Sequence, residues 1–200
     1  MKRYSCSLAS IALALVLAGC GPASSLFPLF IKGDSEFDER LLGEWRMRAE
    51  ASYKHGEKSQ RMVFRKSADG TEYEVTLFDS NKKGMNLALT ARIVRLGNFS
   101  FIDFGTADAD KRKFKEIPFP AIESHSFGRI HLEKGSAHFD FLNDDWVKEQ
   151  AKAGKLKLAT VQTPNGLVIS ATTEELRKFA LEHAEDTEAF SEPYSLSRKK

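Results

Sequence analysis

The sequence predicts a mainly β protein: an antiparallel, hairpin-built barrel or strongly curved sheet with a short inserted helix and a C-terminal helix. Two observations carry this reading. Apolar and polar residues alternate with a period of two along several short runs, and each pair of runs is joined by a turn rich in Gly, Asn or Asp. Helical spacing is confined to two stretches, one after Asn143 and one after Thr172.

The elements follow in order. Residues 61–65 and 73–77 flank the turn Ala68-Asp69-Gly70-Thr71. Pairing Ala68 with Thr71 sets Phe64 against Val75 and Met62 against Leu77, with Arg65 opposite Glu74 on the other face. Residues 87–96 turn at Gly97-Asn98 and return through 99–104, which brings Val94 to Phe101, Ile93 to Ile102 and Arg92 to Asp103. A basic loop, Lys111 to Lys115, precedes Pro118 and Pro120. Residues 126–132 and 137–142 form a third hairpin across 133–136, with Ile130, Leu132, Ala137, Phe139 and Phe141 on one face. Asn143-Asp144-Asp145 caps a short helix that ends near Gly154. A fourth hairpin, 156–161 with 167–170, turns at Pro164-Asn165-Gly166. Thr172 and Glu175 make a capping box for a helix from Thr173 to about Ala184. About eight or nine strands result, and residues 191–200 are expected to be a mobile tail.

The first residues have another character. Met1, Lys2 and Arg3 precede an apolar run, Leu8 to Ala18, that is too short for a spanning helix of ~20 residues. A charged start, a short apolar middle and a small-residue exit describe an export signal. That exit, Leu17-Ala18-Gly19-Cys20, resembles the lipobox of bacterial lipoproteins. The resemblance implies a signal peptide over residues 1–19, acylation of Cys20, and a partner in the lipid bilayer. Two or three acyl chains at ~0.8 kcal/mol per buried methylene make release negligible. Gly21, where an Asp would favour inner-membrane retention, implies a cell-envelope location at the periplasmic face of the outer membrane in a Gram-negative source. Residues 20–37 are expected to be a lipidated tether whose apolar part, Leu26 to Ile31, docks on the domain. Residues 38–190 form one β-rich domain.

Signal removal leaves 181 of the 200 residues, all fifteen Phe and both Trp, enough for one well-cored domain. With Lys2 and Arg3 gone, the 30 basic side chains fall to 28, which balances the 28 acidic ones. Nothing in that balance points to nucleic acid. Cys6 leaves with the signal and Cys20 is acylated, so no disulfide or thiol chemistry is expected.

Leu41-Leu42-Gly43-Glu44-Trp45 is similar to the glycine-x-tryptophan that opens lipocalin-like barrels. The resemblance implies structural roles: Gly43 turns the chain sharply from a short helix into the first barrel strand, and Trp45 plugs the closed end. The second lipocalin motif, built on Thr-Asp-Tyr, is missing, and the sequence does not identify an arginine to pack on Trp45. The chain also resembles small bacterial lipoproteins with a meandering sheet, a likeness that brings no activity.

Among candidate sites, His125, His131 and His138 are the cluster with possible chemistry. Pairing Leu132 with Ala137 puts His131 opposite His138, with Cβ atoms ~5 Å apart, and Arg129 opposite Asp140. Two imidazoles so placed can share a metal if His125 or Asp140 supplies a third ligand; a solvated outer face with one exposed ion pair is the competing reading. Lys111 to Lys115 could touch anionic headgroups, although Asp108 and Asp110 stand beside it. No nucleophile elbow or phosphate loop is present, so no catalytic residue is assigned and no cofactor is expected. Three functions follow: a barrel that holds a small apolar ligand near the membrane, a structural or assembly partner of other envelope proteins, and metal binding through the three histidines. The first draws on an inner face mixing Phe64, Phe101, Phe139 and Phe141 with Ala91 and Ala137.

Overall fold

Period-two alternation and tight turns make neighbouring strands pair in sequence order, and the sheet then closes on itself. The computed structural model describes residues 21–49, 60–78, 86–107 and 123–198. The expected signal peptide with Cys20, and the basic stretch Lys111 to Lys115 expected as a loop, lie outside the described residues. Two short strands come first, β1 (Ser24–Ser25) and β2 (Ser35–Glu36), then a 3₁₀ turn at Glu39–Leu41. A meander follows: β3 (Gly43–Ala49), β4 (Gln60–Lys66), β5 (Tyr73–Phe78), β6 (Asn86–Leu96), β7 (Phe99–Thr106), β8 (His125–Glu133) and β9 (Ser136–Leu142). Helix α1 (Asp144–Lys152), the hairpin β10 (Thr160–Thr163) and β11 (Gly166–Ile169), and helix α2 (Thr173–Glu182) intervene before β12 (Phe190–Arg198). Strand β12 lies between β9 and β3 and antiparallel to both. With the β8–β9 pairing, it closes an eight-stranded antiparallel barrel, β3 to β9 plus β12.

The hairpin registers match those the sequence implies. Phe64 pairs with Val75, Val94 with Phe101, Arg92 with Asp103, and His131 with His138. Asn143 accepts the Trp146 N–H at 2.9 Å, so this acidic run caps α1, and Thr172 with Glu175 forms the capping box of α2.

Three expectations are corrected. Residues 191–198 are not a mobile tail, and α2 is not the last element. Tyr194 and Leu196 alternate with polar residues and belong to the barrel wall as β12. Pro193 is the register partner of Asp140 on β9, and among the described residues the pairing with β3 runs from Tyr194 to Arg198. Residues 21–25 are not a free tether: Ala23 is buried and donates to the Leu142 carbonyl at 2.8 Å, while β1 pairs with β11 and β8. Phe101 does not point into the barrel. Strand β7 is buried on both faces, with Ile102 and Phe104 inward and Phe101 outward beneath the helices, against Phe190.

Two cores result. Inside the barrel, Trp45, Phe64, Tyr73, Phe104, Phe139 and Phe141 pack with smaller residues such as Ala91 and Ala137. Outside it, Val94, Phe101, Phe127 and Leu142 are covered by α1, α2, the β10–β11 hairpin and the N-terminal segment through Leu29.

Candidate functional site

The closed end of the barrel is built around Gly43 and Trp45. Gly43 has a φ of +110°, open to glycine, and a Cβ there would lie 2.5 Å from Arg198 Nη1. This turn passes the chain from the 3₁₀ turn into β3. Trp45 is 1% exposed and its indole N–H donates to the Leu41 carbonyl at 2.7 Å. The guanidinium of Arg198 stacks 4.2 Å above the Trp45 ring and donates to the Leu42 and Arg40 carbonyls. The arginine that the sequence did not identify is thus the last described residue of β12. At the same end the Tyr73 hydroxyl donates to the Asp38 carbonyl and accepts the Asp38 N–H, and its ring stacks on Phe37. Burial pushes the Tyr73 phenol up to about 12, and the Asp38 N–H donated to its oxygen offsets part of that.

The three candidate metal ligands do not converge. His131 and His138 face each other on the exposed outer wall, and His138 Nδ1 lies 3.2 Å from the Ser195 hydroxyl. His125 is six residues from His131, at the far end of β8, and is 6% exposed. Among the described residues, no group of three His, Cys, Asp or Glu side chains is placed to hold a metal. The outer wall is not uniformly solvated either. Arg129, paired with Asp140, is largely covered and donates to the Ala184 and Phe190 carbonyls, which ties the loop after α2 to the barrel.

His125 instead belongs to a buried polar clasp. Asp103, 1% exposed, places one carboxylate oxygen 2.8 Å from His125 Nδ1 and the other 2.7 Å from the Leu29 N–H. With its proton on Nδ1, the imidazole donates to Asp103. Gly105, across from His125, makes room for the ring: a Cβ there would sit 2.9 Å from His125 Cε1. Phe30 packs edge-on against His125, and the Arg92 guanidinium lies 4.0 Å over Phe30 while pairing with Glu72 at 2.9 Å. So Arg92 and Asp103 are register partners whose side chains serve different neighbours. An Asp-held imidazole is the orienting half of a general-base pair. Here, however, Nε2 faces Glu123 at 3.7 Å, and the hydroxyl of the adjacent Ser25 is given to the Phe27 carbonyl. The geometry is that of a clasp for the N-terminal segment. Asp103, the one charge in the apolar run of β7, was the signal for it.

The N-terminal segment is held at further points. Leu26 N–H donates to Ile169, Thr173 donates to the Pro28 carbonyl at 2.8 Å, and Arg177 bonds both the Leu29 carbonyl and Asp34. Residues 22–34 therefore form a strap over the outer core.

Comparison with protein-family models, with characterised proteins and with solved structures finds no match. The reading of function rests on the geometry and the sequence.

Proposed function

We propose that this chain is a lipid-anchored protein of the bacterial cell envelope whose barrel is a solid scaffold that serves as an assembly partner for other envelope proteins. The observation that carries the scaffold reading is the barrel interior. The rings of Phe64, Phe104, Phe139 and Phe141 pack at centroid distances of 5.7 to 6.4 Å, mostly edge to face, with Trp45 filling the closed end. An eight-stranded barrel is only wide enough to be filled by side chains or to hold one small ligand, and these rings take that space. The anchor rests on the Leu17 to Cys20 exit. Cys20→Ser is expected to abolish fatty-acid labelling and move the protein to the soluble fraction. An unlabelled wild-type chain would sink the anchor.

A second reading keeps a small apolar ligand at the end opposite Trp45. The inward-facing Leu77, Leu89 and Tyr194 are only partly covered there. Native mass spectrometry of the purified protein separates the two. A co-purified lipid-sized mass favours the carrier, and recovery of specific envelope proteins by in-cell cross-linking without such a mass favours the scaffold.

A further inference from the structure

Building on the lipid anchor at Cys20, we infer that the strap is a membrane-contact edge, on which Phe27 and Ile31 enter the interfacial layer of the bilayer that holds the acyl chains. Three observations converge. The first is the sidedness of the strap. Leu29 is fully buried, whereas Phe27 and Ile31, two positions to either side, are 45% and 52% exposed. Outward positions of a water-facing loop are ordinarily polar; this one, a run of bends after β1, carries a Phe and an Ile, followed by the exposed Lys32. An apolar pair beside a long cation is the composition of an interfacial segment, with the ammonium reaching back toward headgroups.

The second observation is rigidity. The strap cannot swing its apolar residues inward, because the Asp103 carboxylate, Thr173 and Arg177 fix the backbone of residues 28 and 29 from beneath. The exposure of Phe27 and Ile31 is built into the fold.

The third is the length of chain between anchor and domain. Pro22 already bridges to Asn143 and Ala23 is buried against Leu142, so Gly21 alone separates Cys20 from the folded surface. One residue spans at most ~3.6 Å. Acyl chains on Cys20 therefore bring this side of the molecule to the headgroup layer. The strap continues from the anchor point, so of all the surface it starts nearest the bilayer.

Site-directed spin labelling tests the contact, because the mature chain has no cysteine other than the acylated Cys20. Phe27→Cys and Ile31→Cys are labelled in the full-length, acylated protein, reconstituted into phosphatidylethanolamine–phosphatidylglycerol vesicles. Controls are His138→Cys, on the exposed outer wall, and Leu87→Cys, 46% exposed near the start of β6. The expected result is a several-fold loss of collision with a water-soluble nickel chelate, and a gain with oxygen, at 27 and 31 but not at 87 or 138. Equal water access at all four positions, with Cys20 shown by mass to be acylated, overturns the membrane contact and leaves the anchor standing. A Cys20 without acyl chains overturns both. Label–label broadening at 27 and 31 that grows with protein concentration would assign the edge to a second copy of this chain and likewise overturn it.

Discussion

The inner and outer cores are built from the same apolar residue types but by different routes, and the difference separates structure from function in this molecule. Among the described residues the inner core draws on the barrel and its closing turn, residues 37 to 47 with β4 to β9 and β12, and its members face one another through period-two alternation. The outer core gathers residues from across the chain: Leu29 from the strap, Val147 from α1, Ile169 from β11, Leu176 from α2 and Phe190 from β12. The inner core is apolar, and at its closed end Trp45 and Tyr73 make hydrogen bonds to the Leu41 and Asp38 backbone. The outer core encloses a carboxylate and an imidazole whose work is to hold the strap. Burying such groups is costly unless each is hydrogen-bonded, so the clasp specifies where the strap lies rather than adding much stability. The inner core keeps the barrel folded; the outer one positions the N-terminal strap.

The largest expected effect falls on the inner core. Trp45→Ala removes the plug, the stacking surface for Arg198 and the bond to Leu41, and is expected to cost ~3–5 kcal/mol, as for other large core truncations. Chemical denaturation checks it. Melting within a degree or two of wild type would show that the closed end does not depend on Trp45 and would remove the contrast between the cores.

A smaller effect is expected at the outer core, and it should be local. Asp103→Ala leaves the Leu29 N–H and the His125 ring nitrogen without their acceptor, at ~1–3 kcal/mol for a buried polar group so stranded. Hydrogen exchange should quicken over residues 22–31 and remain slow in β4 to β7. Loss of protection throughout the barrel would mean that the two cores form one cooperative unit.

This division also marks what was legible in the sequence. The registers of three hairpins followed from turn chemistry and alternation, because each involves residues close along the chain. Gly43 and Trp45 were readable as a local motif. Arg198 was not, since its contact with Trp45 spans most of the chain and a proline at 193 disguised the strand that carries it. His125 was grouped with His131 and His138 because all three sit near one hairpin. Its true partner, Asp103, lies on β7, in a strand whose two apolar faces hid which side was in. Contacts set by tertiary closure leave no short-range trace beyond an unexpected charge in an apolar run.

The smallest effect is silent at neutral pH and sharpens the comparison at one atom. Tyr73 is the inner core's polar contact to the closing segment, with its hydroxyl both donating to and accepting from the Asp38 backbone. Burial raises its phenol from the ordinary 10.0 to about 12, because the phenolate would form without water around it. The folded state thus keeps its proton at pH values where the unfolded chain has lost it. The stability linked to this group is fully present below about pH 10 and is lost as pH rises through about 12. Absorbance at 295 nm should show one tyrosine ionising well after the others. In Tyr73→Phe that late step should vanish, and stability should fall less steeply between pH 10 and 12. A wild-type titration in which every tyrosine ionises near 10 would place the Tyr73 hydroxyl in water and detach the 3₁₀ turn from the inner core.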